Sequence, residues 1–334
     1  MKKFFRDMKI RNKMLVTGFA LFIPLVVLIV MLAVEKDIAI DFGQKEIYGV
    51  EYLLPLNHAV VNIPKHRGMA NVYLNGDLNI KERLESQARK IDEGFEKISA
   101  VDLKHGALLD STQKLRRLKE DWSELKNKTL RLTAKESFER HSALIADVIG
   151  LISHVGDTSN LILDPDLDSY YLMDAIVVKL PVLSENLGQL RGLTSGVAAR
   201  QEITNEESIQ AVLIRGKVTQ ALEGLSYGMK VAFRENPELK PILNGSLEET
   251  KENIHIFEAL LHDRVLTGGV VDIDPETVFS SGTKAITSAY ELLDKTSPTL
   301  TSLLQKRIDH FHRINTLPFS ASWSVSCSPS CLHV

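Results

Sequence analysis

The chain has 334 residues, 44% of them hydrophobic, and a formal net charge of −3. Its charge is uneven: residues 1–13 carry +5 and the remainder −8, an acidic bulk that argues against nucleic acid as a partner. The two cysteines, Cys327 and Cys331, both fall in the last eight residues, so the folded part rests on no disulfide framework.

The first element in chain order is Met14–Val34, 21 residues without a charged side chain. That is long enough to cross a bilayer once as a helix. Lys2, Lys3, Arg6, Lys9, Arg11 and Lys13 precede it, with Asp7 as the one anion, and Glu35 and Asp37 follow. The bias leaves the N-terminus in the cytoplasm and sends the bulk into the periplasm, anchored by a single pass in the inner membrane. The basic tip then meets anionic lipid. A cleaved signal peptide fits less well, because its apolar region is usually shorter and ends at a small-residue cleavage site. The expected organisation is a cytoplasmic tip (1–13), a transmembrane helix (14–34), an extracytoplasmic sensing region (35–315) and a serine-rich tail (316–334).

Beyond the anchor, helix punctuation recurs. Asp164-Pro165 and Asp274-Pro275 read as an N-cap followed by proline at the first helical position. Thr133–Glu136, Thr204–Glu207 and Ser246–Glu249 match the capping box. Apolar spacing between these starts is helical, as in Ile209, Val212, Leu213, Leu222, Leu225 and Met229, and in Ile254, Phe257, Leu260, Leu261 and Val265. The pattern predicts helices over about 44–75, 79–100, 107–130, 134–162, 165–200, 205–233, 246–266 and 275–314. Loops are expected near His105-Gly106 and Asn244-Gly245, among others. Pro24, Pro55, Pro64, Pro181 and Pro298 should kink or break the helices that contain them. The fold class is all-α: a transmembrane helix followed by an up-and-down helical bundle, as one long bundle or two stacked four-helix modules.

His66-Arg67-Gly68-Met69 is echoed 124 residues later by Leu190-Arg191-Gly192-Leu193. Two related bundle modules would produce such an echo, and so would chance, because Arg-Gly pairs are common.

The string Ser159-Asn160-Leu161-Ile162-Leu163-Asp164-Pro165-Asp166-Leu167-Asp168-Ser169-Tyr170-Tyr171-Leu172-Met173-Asp174 resembles the periplasmic sensor region of bacterial methyl-accepting chemotaxis proteins. Asn71–Asp77, Lys179-Leu180-Pro181 and Leu187–Gly192 fit the same pattern. Sensor kinases and diguanylate cyclases share this input region, and related helical input domains include nitrate-sensing and helical bimodular types. The resemblance covers about residues 1–315. It implies a ligand-sensing receptor for a small anionic or polar ligand; the alternatives are the input domain of a sensor histidine kinase or diguanylate cyclase, and a structural helical tether that binds nothing. No enzyme activity of the chain itself and no cofactor are expected. The default oligomer is a homodimer. In such receptors a second membrane span and an output domain follow. Residues 316–334 have neither composition, and they read as a truncated or out-of-frame end.

The related input domains hold small anions such as a carboxylate or nitrate with arginines between helices. Arg67 and Arg191 match that style and are the candidate ligand-binding residues, with His66 beside them. Guanidinium forks suit a planar oxyanion. The plainer reading makes them surface or ion-pair arginines. His58 and His66, eight apart on one helix, could line the same pocket.

Other constellations fall away. Asp164, Asp166 and Asp168 have the spacing of a calcium loop, but Ser169 and Ala175 stand where glycine and glutamate are needed. His255 and His262 have no evident third metal ligand. Cys327 and Cys331 lie in the serine-rich tail. No nucleotide, hydrolase or metalloprotease motif occurs. Tyr170-Tyr171 is expected to pack between helices.

Overall fold

The computed structural model describes residues 8–266 and 271–315. The expectations for the serine-rich tail, for Cys327 and Cys331 and for most of the basic tip lie outside these residues. Every regular element among those described is helical: α1 (Ile10–Leu74), α2 (Lys81–Leu109), α3 (Thr112–Lys128), α4 (Ala134–Thr158), α5 (Leu167–Asp174), α6 (Leu180–Arg200), α7 (Asn205–Glu235), α8 (Lys240–Leu261) and α9 (Pro275–Asn315). A π-helical turn, Ala175–Lys179, joins α5 to α6, and a second, His262–Leu266, extends α8. The protein is an all-α helical bundle with a long apolar N-terminal helix.

Two compact units divide the chain. One is Lys45–Leu304; the other takes the chain up to Gln44 and from Gln305 onward. Within the second, the apolar part of α1 buries nothing: Phe19 is 63% and Ile23 60% exposed. This segment is long and apolar enough to cross a membrane.

The Lys45–Leu304 unit has the core. The predicted anchor and first external helix are one continuous helix, because Pro24, Pro55 and Pro64 fall inside α1 without ending it. Pro298 likewise lies inside α9, and Pro181 occupies the first turn of α6 after the π turn. Thr133 and Thr204 form complete capping boxes with Glu136 and Glu207. Asp274 Oδ2 accepts from Thr277 N at 3.0 Å as α9 begins at Pro275.

Two starts and two breaks differ from expectation. Asp164-Pro165 precedes α5 by two residues, and Asp164 accepts from Asp166 N and Ser169 Oγ in the turn before it. Ser246 is interior to α8, not a cap. The helix starts earlier, after a turn that Asn236 caps and Pro237 opens, and the buried Ser246 hydroxyl accepts from Lys295 Nζ at 2.6 Å. Asn244-Gly245 is therefore helical. His105-Gly106 also lies within a helix. α2 ends only at Asp110, whose φ of 49° is left-handed. Gly106 is required by contact instead, since a Cβ there would stand 2.3 Å from the Asp102 carboxylate. That carboxylate accepts from Tyr52 OH and Ser111 Oγ, both at 2.7 Å.

Periodicity located the helices better than their faces. On α7, Leu222, Leu225 and Met229 are buried, but Ile209, Val212 and Leu213 are exposed, and Ala211, Ile214 and Val218 line the core instead. Tyr171 is half-buried. It meets Tyr227 edge-on and fills the space that Gly228 leaves.

Candidate functional site

Within the Lys45–Leu304 unit, α1, α4, α6 and α9 enclose a cavity lined by Pro64, Arg67, Gly68, Asn71, Phe138, Gly188, Arg191, Gly192 and Phe279. Its volume is about 20 Å³. A cavity needs roughly 10–15 Å³ to hold one water, so as it stands this one has room for one or two water-sized atoms, and a small oxyanion would need it to widen slightly. Both candidate arginines are on its wall, and each is 2% exposed. They are not surface arginines.

The two are built alike. Arg67 sits over the Phe138 ring with Cζ 4.7 Å from the centroid, and its Nη1 donates to Ser142 Oγ at 2.8 Å. Arg191 sits over Phe279 at 4.6 Å, and its Nη1 donates to Thr283 Oγ1 at 2.8 Å. Each hydroxyl is four residues after its phenylalanine and donates to that phenylalanine's carbonyl, at 2.8 Å from Ser142 and 2.7 Å from Thr283. The stacked ring and the fixed hydroxyl hold each guanidinium in one plane. The following glycines, Gly68 and Gly192, leave room between the helices. The sequence echo therefore marks the same local arrangement made twice, once where α1 meets α4 and once where α6 meets α9.

The halves differ in charge. Arg67 is paired with Glu185 of α6, Nη1 to Oε1 at 2.7 Å and Nη2 to Oε2 at 3.3 Å. No carboxylate forms an ion pair with Arg191 among the described residues, and its buried Nε has no acceptor. Burial lowers its pKa to about 10, the Arg67 charge adds to this, and Glu185 partly opposes it. A buried donor without a partner is costly. A guanidinium edge left unmatched beside a cavity fits an anion.

His66 is elsewhere. Its Nδ1 lies 2.8 Å from His141 Nε2, and its ring meets Trp122 edge-on. His141 Nδ1 is 2.6 Å from the Ser137 carbonyl, so Nδ1 carries the proton and Nε2 accepts from His66. His58 pairs with Asp294 at 3.2 Å. Neither His58 nor His66 lines the cavity. Asp168 accepts from Asn236, and Asp164 from its own turn. Glu185, Phe138, Ser142, Phe279 and Thr283 were not singled out from sequence, although Phe-x-x-x-Ser/Thr recurs at 138–142 and 279–283.

A family model described as "Nitrate and nitrite sensing" matches residues 58–301, most of the chain and all of the cavity wall. The chain belongs to the nitrate and nitrite sensing family. Among solved structures, that of the NasR transcription antiterminator has a TM-score of 0.64 at 15% identity, covering 86% of this chain and 77% of that one. The likeness shows a shared fold. No curated protein matches the chain in sequence. A nitrate and nitrite sensing module is a sensory input, and its small anionic ligands are compatible with the cavity described above.

Proposed function

We propose that the Lys45–Leu304 unit binds nitrate or nitrite between Arg67 and Arg191, as the input module of a membrane-anchored signalling protein. The observation that carries this reading is the buried, unmatched Nε of Arg191 beside a small cavity that a second guanidinium also lines. A small planar oxyanion can take two donors from one guanidinium edge. Amino acids and dicarboxylates would require far more widening of about 20 Å³ than a three- or four-atom oxyanion does. Arg67 belongs to α1 and Arg191 to α6, so an anion touching both would draw two helices together. Because α1 also contains the Met14–Val34 stretch without interruption, a small shift of α1 is the natural route for a signal to the membrane.

The positive-inside bias supports a cytoplasmic N-terminus and a periplasmic sensor. The resemblance of Ser159–Asp174 supports a chemotaxis receptor as the signalling context. Family membership is equally compatible with a kinase or cyclase output.

Titration calorimetry on the full chain in lipid nanodiscs, with nitrate, nitrite, formate and acetate, tests the reading. Nitrate or nitrite should bind, and Arg191→Met should abolish the heat. A wild type that binds neither ion, or a variant that binds as the wild type does, would overturn it.

A further inference from the structure

The two halves of the cavity share the arginine, its stacked phenylalanine and its hydroxyl, and they differ in the carboxylate beside the arginine. Counting 124 residues back from Glu185, as from Arg191 to Arg67, gives Val61, which is buried and apolar. The second half therefore supplies a carboxylate to the arginine of the first, and the first returns none. Glu185 is 8% exposed and fully engaged: it accepts from both terminal nitrogens of Arg67 and from Gln189 Nε2 at 2.7 Å.

This asymmetry fixes the charge of the site. The guanidiniums contribute two positive charges and Glu185 removes one. The other wall residues, Pro64, Gly68, Asn71, Phe138, Gly188, Gly192 and Phe279, carry none. Nearby, His66 and His141 are held neutral by burial; Lys65 is half-buried and off the cavity wall, and burial and the Arg191 charge both lower its pKa. A singly charged anion brings the enclosed charge to zero. A doubly charged one leaves a net negative charge between buried side chains, where uncompensated charge is expensive.

Resting on the anion-binding reading above, we infer that Glu185 is a specificity residue that limits the site to monovalent oxyanions, and that neutralising it admits divalent ones. Size alone would not make this distinction, because monovalent and divalent oxyanions of the same shape exist. Chlorate and sulfite are such a pair, both three-oxygen pyramids.

The test compares nitrate, chlorate and sulfite by titration calorimetry on the full chain in nanodiscs at about pH 8, where sulfite is the dianion. The wild type should bind chlorate more tightly than sulfite by at least about tenfold. Glu185→Gln, which keeps the shape and an acceptor oxygen for Arg67, should reduce that ratio at least tenfold. A wild type that rejects chlorate as strongly as sulfite selects by shape, and the inference falls. It also falls if the wild type takes sulfite as readily as chlorate, or if Glu185→Gln keeps the wild-type ratio. Should the variant not fold, the wild-type ratio still decides. Failure of nitrate to bind the wild type would instead remove the site, and this inference with it.

Discussion

Gly68 faces Phe279 across the cavity: a Cβ on Gly68 would stop 3.8 Å from the ring. Gly192 faces Phe138 in the same way at 3.7 Å. Each arginine is thus followed by a glycine that opens space toward the aromatic ring of the other half. Both distances are ordinary van der Waals contact, so neither glycine is needed for the fold. What each provides is room.

Gly68→Ala separates stability from binding. Alanine in a helix interior is favoured over glycine by roughly 0.5–1 kcal/mol, so the variant should be as stable as the wild type or more so. Its methyl group would take up much of a cavity of about 20 Å³, and nitrate affinity should fall at least about tenfold. Thermal denaturation and calorimetry on the same sample read the two effects. Undiminished affinity would place the anion somewhere else.

The two arginines should respond differently to removal. Arg67→Ala leaves Glu185 buried without its partner, a loss of about 3–5 kcal/mol. Arg191→Met removes a buried cation that has one hydroxyl partner and no carboxylate, and it keeps a stem that can pack against Gly282. Its stability should lie within about 1 kcal/mol of the wild type, or above it. Urea unfolding monitored by circular dichroism distinguishes them. Equal losses would show that the carboxylate does not set the difference.

Helix caps allow a local comparison. Thr133→Ala breaks a complete capping box and should cost about 1 kcal/mol. Ser246→Ala occupies what reads as the same motif but lies inside α8, where the loss is the hydrogen bond from Lys295 Nζ. Hydrogen exchange should show fraying at the start of α4 in the first variant. In the second, the start of α8 at Lys240 should stay protected.

These comparisons show what the sequence makes legible. Helix starts were readable where one side chain satisfies nearby backbone donors, as at Thr133, Thr204 and Asp274. They were misread where a second, earlier capping turn competes, as Asn236-Pro237 does ahead of Ser246. Arg67 and Arg191 were visible through the Arg-Gly echo and the family resemblance. Their supports were not, because Phe138 and Phe279 come from distant helices and are spaced differently from the arginines. Glu185 was hidden for another reason. A single glutamate on a helix looks like a surface residue until the opposing guanidinium is placed beside it.

The buried histidine pair gives the domain an acid sensitivity with a definite sign. Burial lowers the pKa of His66 to about 3, aided by the proximity of His141. Burial also lowers His141 to about 4, with the hydrogen bond to Ser137 opposing and the Arg67 charge assisting. Both would titrate near 6.5 in the unfolded chain. Below that pH the unfolded state takes up protons that the folded state refuses, so the stability contribution is full above about 6.5 and is lost as pH falls toward 4. Between pH 6.5 and 5 the loss should be about 1.5 kcal/mol per histidine. His141→Gln offers an amide oxygen to His66 Nδ1 and removes one titrating group, so the urea midpoint should fall less steeply with acid than in the wild type. If the two curves are parallel over that interval, the proton uptake on unfolding comes from other residues.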